Sequence, residues 1–398
     1  MTVAVLGAGL QGICAALALR ERGHEIVLFE QDGEPMGRAS LRNEGKIHLG
    51  FIYGNDPSFR TARLMLASAV QFAPLLDRWL PGWFDWRALR STPFVYLVMR
   101  DSLLDADALC AHYAKLAGDV AAETGSSRYL GEPLGRLWQR IPVPSYVDST
   151  RVAAAVATEE VAIDVAAFRR VTCAALAAQP AIDRRYRWRV EGVRRCGRGF
   201  QVRATDPNGD VHRIAADVVV NCLWDARLAI DRELEIVSAR PRAYRLKYRV
   251  MAELPETLRD IPALSLVLGQ YGDVVPWSGR SYLSWYPACR RGWSSALSPP
   301  CEWAAPCRGD VSADVAAEVA TGTLAALDAI IPGMAAARVT AVDAGIVVAW
   351  GDRDIDEPGS ELHERHAVGV HEHDGYFSID TGKLTCAPYF AQQLAARL

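Results

Sequence analysis

The sequence lacks a strong charge of either sign. Its 44 lysine and arginine residues nearly balance 47 aspartate and glutamate residues, leaving a net charge of −3 over 398 residues. Proteins that bind nucleic acid or anionic membrane surfaces usually carry a marked positive excess. The composition therefore predicts no nucleic-acid partner. The length exceeds what one small core organises and favours two domains.

Long apolar runs are also lacking. No run approaches the roughly 20 apolar residues that cross a bilayer. The first residues form neither a cationic leader nor a cleavage site. These absences predict a soluble, cytoplasmic protein without membrane insertion.

Paired cysteines are lacking as well. The nine cysteines are odd in number, and no C-x-x-C pair occurs, which predicts reduced packing residues. The spacings His363-x-x-His366 and His371-x-His373 can suit a metal. These histidines lie in a polar region beside the last predicted strand. We therefore favour a solvated hairpin and expect no metal.

The first 30 residues carry the pattern of a β-α-β unit. Val3–Leu6 is a short apolar strand, and an Ala/Leu-rich helix over about Leu10–Arg22 follows it. Gly23 is a natural stop for that helix, and Glu25–Glu30 is a second buried strand. The turn between the first strand and the helix reads GAGLQG.

The spacing Gly7-x-Gly9-x-x-Gly12 predicts a dinucleotide site in that turn. The first glycine permits the turn, the second lets a pyrophosphate approach, and the third lets helix and strand pack closely. The helix N-terminus offers free N–H groups to the phosphates. Glu30 ends the second strand, where its carboxylate can accept ribose hydroxyls and repel a 2′-phosphate such as that of NADP. The alternative is a glycine-rich turn in an unrelated α/β protein.

Further elements follow along the chain. Asn208-Gly209 is a hairpin turn within a small meander. The Pro/Gly/Ser-rich segment Pro287–Asp310 reads as a long loop. Helices are expected at Thr61–Asp77, 101–122, Ala166–Gln179 and Val315–Ile330, and strands at Arg187–Val193, Phe200–Thr205, Val211–Ile214, Ala216–Cys222 and in the runs YRLKYRVMAEL, LSLVLGQYGDVV and RSYLSWYP.

The segment Gly37–Asp56 fits neither strand alternation nor helical spacing. It resembles the segment that runs along the isoalloxazine ring in the D-amino-acid-oxidase-like flavoprotein superfamily. The local likeness is to the FAD-dependent glycerol-3-phosphate dehydrogenase branch. There a small-Ser pair precedes a K-x-I-H-G-G-x-x-Y-like run, and here Ala39-Ser40 precedes KIHLGFIY, from Lys46 to Tyr53. The resemblance implies that FAD is the cofactor.

Further blocks fit this resemblance. Val218–Asn221 is similar to the superfamily's VVNA strand, and Val190 matches a position whose backbone pairs with adenine. Gly382–Thr385 resembles the C-terminal GGK-x-T turn, with Thr385 as the expected N-cap of the closing helix and Pro388 in its first turn. The cofactor-binding residues implied in this way are Gly7, Gly9, Leu10, Gln11, Gly12, Glu30, Ala39, Ser40, Asn43, Gly45, Lys46, Ile47, Val190, Asn221, Cys222, Trp224, Gly382, Lys383, Leu384 and Thr385.

Two stretches depart from known patterns. The glycerophosphate enzymes carry an R-P-L segment that helps to bind substrate phosphate, but the corresponding run here is GIVVAWGDRDID, which puts glycerol phosphate in doubt. GDRDIDEP, Gly351–Pro358, resembles the flavin motif of aromatic monooxygenases. No apolar helix follows it directly, so we interpret it as a loop with acidic residues.

The implied fold is α/β. A Rossmann-like FAD-binding domain has a parallel sheet with a β-meander, and an α+β substrate domain has an antiparallel sheet. We expect the FAD-binding domain at 1–75, 150–228 and 336–398. The substrate domain is expected at 76–149 and 229–335.

The catalytic candidates are His48, Lys383, Tyr53 and Lys46. His48 has an intrinsic pKa near working pH; the alternatives are a purely hydrogen-bonding role and a covalent bond to flavin. Lys383 could stabilise anionic flavin or activate oxygen, or form a salt bridge instead. Further residues are expected over the flavin face, although strand alternation cannot place all of them in the pocket; they are Lys247, Tyr248, Arg249, Trp285 and Tyr286.

The expected reaction is hydride transfer from a C–H bond next to N or O to flavin N5. An amine or amino acid is the first choice of substrate, and an alcohol, hydroxy acid or sugar-like compound is the alternative. The electron acceptor is oxygen or unknown. A carboxylate-bearing substrate requires an Arg or Lys anchor. A third reading is a flavin-binding assembly subunit without turnover.

Overall fold

The computed structural model describes residues 1–124 and 128–398. The α-helices are α1 Leu10–Glu21, α2 Arg60–Trp79, α3 Trp86–Leu89, α4 Ala106–Thr124, α5 Val165–Ala177, α6 Arg227–Glu233, α7 Tyr286–Cys289, α8 Ala313–Asp328 and α9 Ala387–Ala395. The strands are β1 Thr2–Leu6, β2 Glu25–Glu30, β3 Val95–Met99, β4 Arg128–Tyr129, β5 Glu132–Pro133, β6 Trp138–Ile141, β7 Val152–Thr158, β8 Ile182–Tyr186, β9 Arg189–Cys196, β10 Gly199–Thr205, β11 Val211–Ala216, β12 Val218–Asn221, β13 Arg242–Glu253, β14 Leu264–Val267, β15 Asp273–Trp277, β16 Arg280–Leu283, β17 Arg290–Ser294, β18 Arg338–Trp350, β19 Gly369–His373 and β20 Tyr376–Asp380.

A six-stranded sheet in the order β19-β20-β12-β1-β2-β8 forms the first half of the fold. Its strands are parallel except for the edge strand β19. Val3 and Val5 pack toward α1, whereas Ala4 and Leu6 pack in the core shared with the meander β9–β10–β11. Burial on both faces explains why β1 is apolar throughout. The predicted β-α-β unit and meander are confirmed.

A nine-stranded sheet forms the second half, in the order β17-β13-β16-β15-β14-β3-β7-β6 with β18 also paired to β13. Its pairs are antiparallel except for β14 with β3. The pairing of β13 with β18 runs from Arg242 opposite Trp350 to Glu253 opposite Arg338. The predicted combination of a parallel sheet with an antiparallel one is confirmed.

The structure differs from the sequence expectations at several places. Strands β7 and β18 pair in the nine-stranded sheet, although they fall within 150–228 and 336–398, the segments assigned to the FAD-binding domain. An apolar run in the sequence does not reveal which sheet it joins, so only the observed strand pairing decides where β7 and β18 belong. The other domain boundaries stay a prediction. The expected loop Pro287–Asp310 instead contains most of α7, strand β17 and two short 3-10 helices. Within the described residues, no helix is both long and apolar enough to span a membrane.

We predict that Gly45→Ala lowers the free energy of unfolding more than Gly82→Ala does. Both glycines have positive φ, +75° and +79°, where an alanine costs about 1–2 kcal/mol. A Cβ at Gly45 would also overlap the carbonyl oxygen of Ile163, whereas one at Gly82 would meet no heavy atom within 4 Å. The overlap should add roughly 1–3 kcal/mol. Urea unfolding of both variants measures the difference, and equal losses would contradict the prediction.

Candidate active site

A cleft of about 350 Å³ runs along the carboxyl ends of the parallel strands and one face of the nine-stranded sheet. Loops at the carboxyl ends of parallel strands are where ligands bind in open α/β sheets. One wall comes from the turn after β1 and the segment 36–53. The other comes from β13, β14, β18 and the segment 355–365.

The three glycines of the first turn occupy the positions that a dinucleotide requires. Gly7 has a φ of +91°, and a Cβ at Gly12 would overlap the Gly7 carbonyl. A Cβ at Gly9 would meet only the Ser40 hydroxyl, at 3.3 Å, and would otherwise extend into the cleft. Ser40 Oγ in turn accepts a hydrogen bond of 3.0 Å from the Leu10 N–H at the start of α1. The turn and the serine together leave a backbone-lined cradle beside a helix N-terminus.

Glu30 closes this end of the cleft. Its carboxylate accepts hydrogen bonds from the Ala8 N–H at 3.0 Å and from the Asp32 N–H at 2.9 Å. Burial raises the pKa of Glu30, and the two N–H donors oppose that shift. Asn43 plays a local role: its amide donates to the Ala39 carbonyl at 2.8 Å, and its oxygen accepts from the Gly45 N–H at 2.8 Å.

Most of the sequence-predicted site residues meet in this cleft. Those that line it are Gly7, Gly9, Leu10, Gln11, Glu30, Ala39, Ser40, Asn43, Lys46, His48, Tyr53, Cys222, Trp224, Gly382, Lys383 and Leu384. Those absent from the lining are Gly12, Gly45, Ile47, Val190, Asn221 and Thr385. Asn221 instead belongs to a buried polar cluster, in which its amide donates to the Asp231 carboxylate at 3.0 Å and the Tyr376 hydroxyl at 2.7 Å.

Thr385 does not act as the predicted N-cap. A 3-10 helix, Leu384–Cys386, precedes α9, and Cys386 occupies the capping position. The Thr385 hydroxyl instead accepts from the His48 N–H at 3.0 Å and donates to the Lys46 carbonyl at 3.3 Å. The C-terminal turn is thereby tied to the segment that carries His48. The predicted position of Pro388 in the first turn of the helix is confirmed.

Three of the four lysines of the chain line this one cleft. Lys46 points toward the nine-stranded sheet, where its ammonium donates to Asp273 at 2.8 Å and to Ser265 at 2.9 Å. It also lies 4.1 Å from the centre of the Phe94 ring. Lys46 lowers the pKa of Asp273 against the effect of burial. Lys46 therefore lines the cleft as one partner of a buried ion pair.

The other two lysines face a shared carboxylate. Burial lowers the pKa of Lys383 to about 8; Glu44 opposes the shift, and the cations Arg365 and Lys247 add to it. Burial also opposes the charge of Lys247, but Tyr282 and Glu44 outweigh it and raise its pKa. Burial would raise the pKa of Glu44, yet His48 and the two lysines hold it well below its usual range. Glu44 is therefore an ionised carboxylate among basic groups.

His48 lies between two carboxylates without a close hydrogen bond to either. Its Nε2 is 3.7 Å from Glu44 and its Nδ1 is 3.9 Å from Glu160. Burial lowers the pKa of His48, and Glu44 partly offsets this shift. The Tyr53 ring centre lies 5.5 Å from that of His48, and burial raises the pKa of Tyr53. The imidazole is neutral near pH 7 and free to accept a proton from the cleft.

Sequence reasoning missed two arginines, Arg245 and Arg365, which are 5% and 6% exposed and line the cleft. Arg365 donates to the carbonyls of Leu362 at 3.0 Å and Val348 at 2.8 Å. Arg245 donates to the Tyr286 hydroxyl at 2.9 Å. Within the described part of the chain, no ion pair joins either guanidinium to an acid. Glu44 and Asp273 were missed too. The sequence signal for this charged cleft was that the chain has only four lysines, three of which line it.

The expected solvated hairpin is found for two of the four histidines near the C-terminus: His371 and His373 lie on β19 of the β19–β20 hairpin, and His371 is exposed. His363 and His366 do not belong to it. His363 is buried, lines the cleft and has its Nε2 2.8 Å from the Ile355 carbonyl. His366 Nδ1 lies 3.5 Å from the Asp56 carboxylate. Both residues precede β19 and pack inward, which a polar local sequence does not reveal. In the described ranges, no group of three or more His, Cys, Asp and Glu residues is arranged to hold a metal ion.

Comparison with known proteins identifies the family. The family model described as DAO, FAD dependent oxidoreductase, matches residues 2–397, so the chain belongs to this family. The D-amino acid dehydrogenase of Rhizobium johnstonii is 27% identical over 131 residues, which are 31% of this chain and 30% of that protein. The predicted superfamily and the prediction of an FAD-dependent oxidoreductase are confirmed.

Two solved structures share the fold across nearly the whole chain. Glycine oxidase from Geobacillus kaustophilus has a TM-score of 0.70 at 18% identity, covering 99% of this chain and 94% of that one. The FAD-bound L-α-glycerophosphate oxidase from Mycoplasma pneumoniae has a TM-score of 0.65 at 14% identity, covering 100% and 94%. These likenesses concern the fold.

The residues of the cleft fit FAD. The open side of Gly9 and the N–H groups at the start of α1 suit a pyrophosphate, and Glu30 suits ribose hydroxyls. Lys383 and the turn before α9 belong to the same cleft lining. A cation and a helix N-terminus there suit a ring that gains negative charge on reduction.

We predict that Lys383→Met lowers the midpoint potential of the bound flavin. The positive charge should stabilise the reduced flavin by about 1–2 kcal/mol, and losing it corresponds to a drop in potential of about 20–40 mV for a two-electron couple. Because the pKa of Lys383 is about 8, its charge is present below that pH and lost above it. The difference between variant and wild type should therefore shrink as pH rises through 8.

A redox titration at several pH values measures this difference. Lys115→Met is the matched control, since Lys115 is the lysine outside the cleft lining. A Lys383→Met potential equal to or above that of the wild type at pH 7 would contradict the prediction.

Proposed function

We propose that this protein oxidises an α-amino acid at the carbon that bears the nitrogen. Bound FAD supplies the two-electron acceptor for the hydride that leaves that carbon. The proposal rests on the buried pair Arg245 and Arg365, which lines the cleft without an acidic partner among the described residues. Buried charges without partners are costly, so such a pair favours an anionic ligand.

The chemistry of arginine suits a carboxylate. A guanidinium offers several N–H donors in a planar fork and keeps its proton even when buried. Burial and the neighbouring Arg245 lower the pKa of Arg365 to about 10, which still leaves it protonated at neutral pH. The Nε of Arg245 is buried and has no hydrogen-bond partner among the described residues. A substrate carboxylate would satisfy this donor.

The positive surroundings also bear on the substrate nitrogen. Lys247 and Lys383 share the cleft with Glu44, so an ammonium entering there would face two cations. This field favours the neutral amine, the form that can release a hydride from the adjacent C–H. The neutral imidazole of His48 is the group we propose to accept the proton. A hydroxy acid is the second candidate, because a hydroxyl group brings no positive charge into this field.

The test is anaerobic reduction of the purified holoenzyme, which is measured as the loss of oxidised-flavin absorbance. The panel pairs amino acids with their 2-hydroxy acid analogues and with amines that lack the carboxylate. We expect reduction by amino acids only. Reduction by hydroxy acids alone would favour the second candidate, and reduction by none would favour a flavin-binding subunit without turnover.

We predict that Arg365→Gln raises the KM for a carboxylate substrate about 10- to 100-fold, the loss expected for a hydrogen bond to a charged group. FAD content should stay constant. Arg240→Gln is the control, because this half-buried arginine pairs with Glu361 and neither residue lines the cleft. The same KM in both variants would remove Arg365 from substrate binding.

We predict that His48→Ala retains FAD but lowers turnover about 10²- to 10⁴-fold, the usual contribution of a general base. Because burial lowers the pKa of His48, the wild type should lose activity on the acid side below pH 6.5, where the ring becomes protonated. His212→Ala, on the meander, should keep this acid limb. Unchanged turnover in His48→Ala would reduce His48 to a hydrogen-bonding role.

A further inference from the structure

The acidic loop Gly351–Pro358, GDRDIDEP, has no role in the reaction proposed above. It follows β18, and its residue Ile355 lines the cleft, as Leu362 and His363 do further along the chain. The loop is held internally, since Asp354 N–H donates to the Glu357 carboxylate at 2.7 Å. Through Ile355, the loop thus contributes to the lining of the cleft.

Asp354 connects this loop to α7 and to the nine-stranded sheet. Its Oδ1 accepts a hydrogen bond of 2.6 Å from the Tyr286 hydroxyl, and its Oδ2 lies 3.1 Å from Arg290 Nε. The Tyr286 oxygen in turn accepts a hydrogen bond of 2.9 Å from Arg245 Nη1. A tyrosine hydroxyl has one proton to donate. Because that proton is donated in the hydrogen bond to Asp354, the lone pairs of the hydroxyl oxygen are directed toward the guanidinium.

Burial strengthens this chain of contacts. Burial raises the pKa of Tyr286, and Arg245 opposes that shift, so the hydroxyl keeps its proton at neutral pH. In a low-dielectric site, hydrogen bonds in series polarise one another. The negative charge of Asp354 therefore stabilises Arg245 through the polarised Tyr286 hydroxyl, although no ion pair joins Asp354 to Arg245.

We propose that Asp354 is a positioning residue that acts through Tyr286 to hold Arg245 in its carboxylate-binding orientation. This inference rests on the proposed function, in which Arg245 contacts the substrate carboxylate. Asp354 does not touch the substrate. Its loop makes binding of the carboxylate depend on a contact between two distant parts of the chain, β18 with its following loop and α7.

The test measures binding of carboxylates to the oxidised holoenzyme, read from the change in flavin absorbance. Acetate and propionate are the probes, and acetamide is the uncharged analogue. We expect Asp354→Asn and Tyr286→Phe each to raise the Kd for the carboxylates about tenfold and to leave acetamide binding unchanged. The Kd of the double variant for the carboxylates should not exceed the higher of the two single-variant values, because both changes break the same chain of contacts.

Asp356→Asn is the matched control. Asp356 lies two residues along the same loop and accepts from Gln270 at 2.6 Å, but it has no connection to Arg245. Its Kd for acetate should equal that of the wild type. An equal rise in Asp356→Asn would mean that loop attachment in general matters, which would overturn the proposed role of Asp354.

Arg245→Gln separates this inference from the proposed function. If Arg245→Gln weakens acetate binding and Asp354→Asn does not, Arg245 is an anchor without this positioning residue, and only the inference fails. If the wild type binds acetate no better than acetamide, and Arg245→Gln changes nothing, the carboxylate anchor itself fails and takes the inference with it.

Discussion

The cost of burying positive charge governs the arrangement of this cleft. Three lysines and five arginines line it. Lys46, Arg38, Arg42 and Arg249 have acidic partners, whereas among the described residues no ion pair joins Lys247, Lys383, Arg245 or Arg365 to an acid. Removing an ion from water costs several kcal/mol unless partners compensate it. Glu44 compensates part of the charge of the two other lysines, as its lowered pKa indicates. The remainder is available to anionic ligands, which is the basis on which we propose a carboxylate substrate, and it suits a flavin that gains negative charge.

The fold holds these charges in place by joining its two sheets around the cleft. Arg249, on β13, donates to the Leu41 carbonyl at 2.6 Å and pairs with Asp343 on β18. The segment that carries Lys46 and His48 is thereby fixed to the nine-stranded sheet from one side. From the other side, the Thr385 hydroxyl fixes the same segment to the C-terminal turn. Few of these contacts are local in sequence, so the cleft exists only when both sheets are complete.

The sequence predicted the β-α-β unit and its glycine turn because their determinants are local. The Gly7, Gly9 and Gly12 pattern and Glu30 lie within one β-α-β unit, where spacing fixes geometry. The wall of the cleft that the nine-stranded sheet forms depends on pairing between distant strands. Nothing near Arg245 or Arg365 indicates that their side chains meet in one cleft, and the alternation of β13 could not say which face is covered. The same limit misplaced β7 and β18, whose apolar runs suit either sheet.

The division of labour between arginine and lysine follows from their chemistry. Arg365 keeps its charge across the physiological range even with a pKa of about 10, so it can anchor an anion permanently. Lys383, with a pKa of about 8, lies close enough to neutrality for a nearby charge to change its protonation. A negative charge arriving beside Lys383 would raise that pKa and recruit the proton, which stabilises the charge in turn. The arginines therefore suit a ligand whose charge is constant, and Lys383 suits one whose charge changes during the reaction.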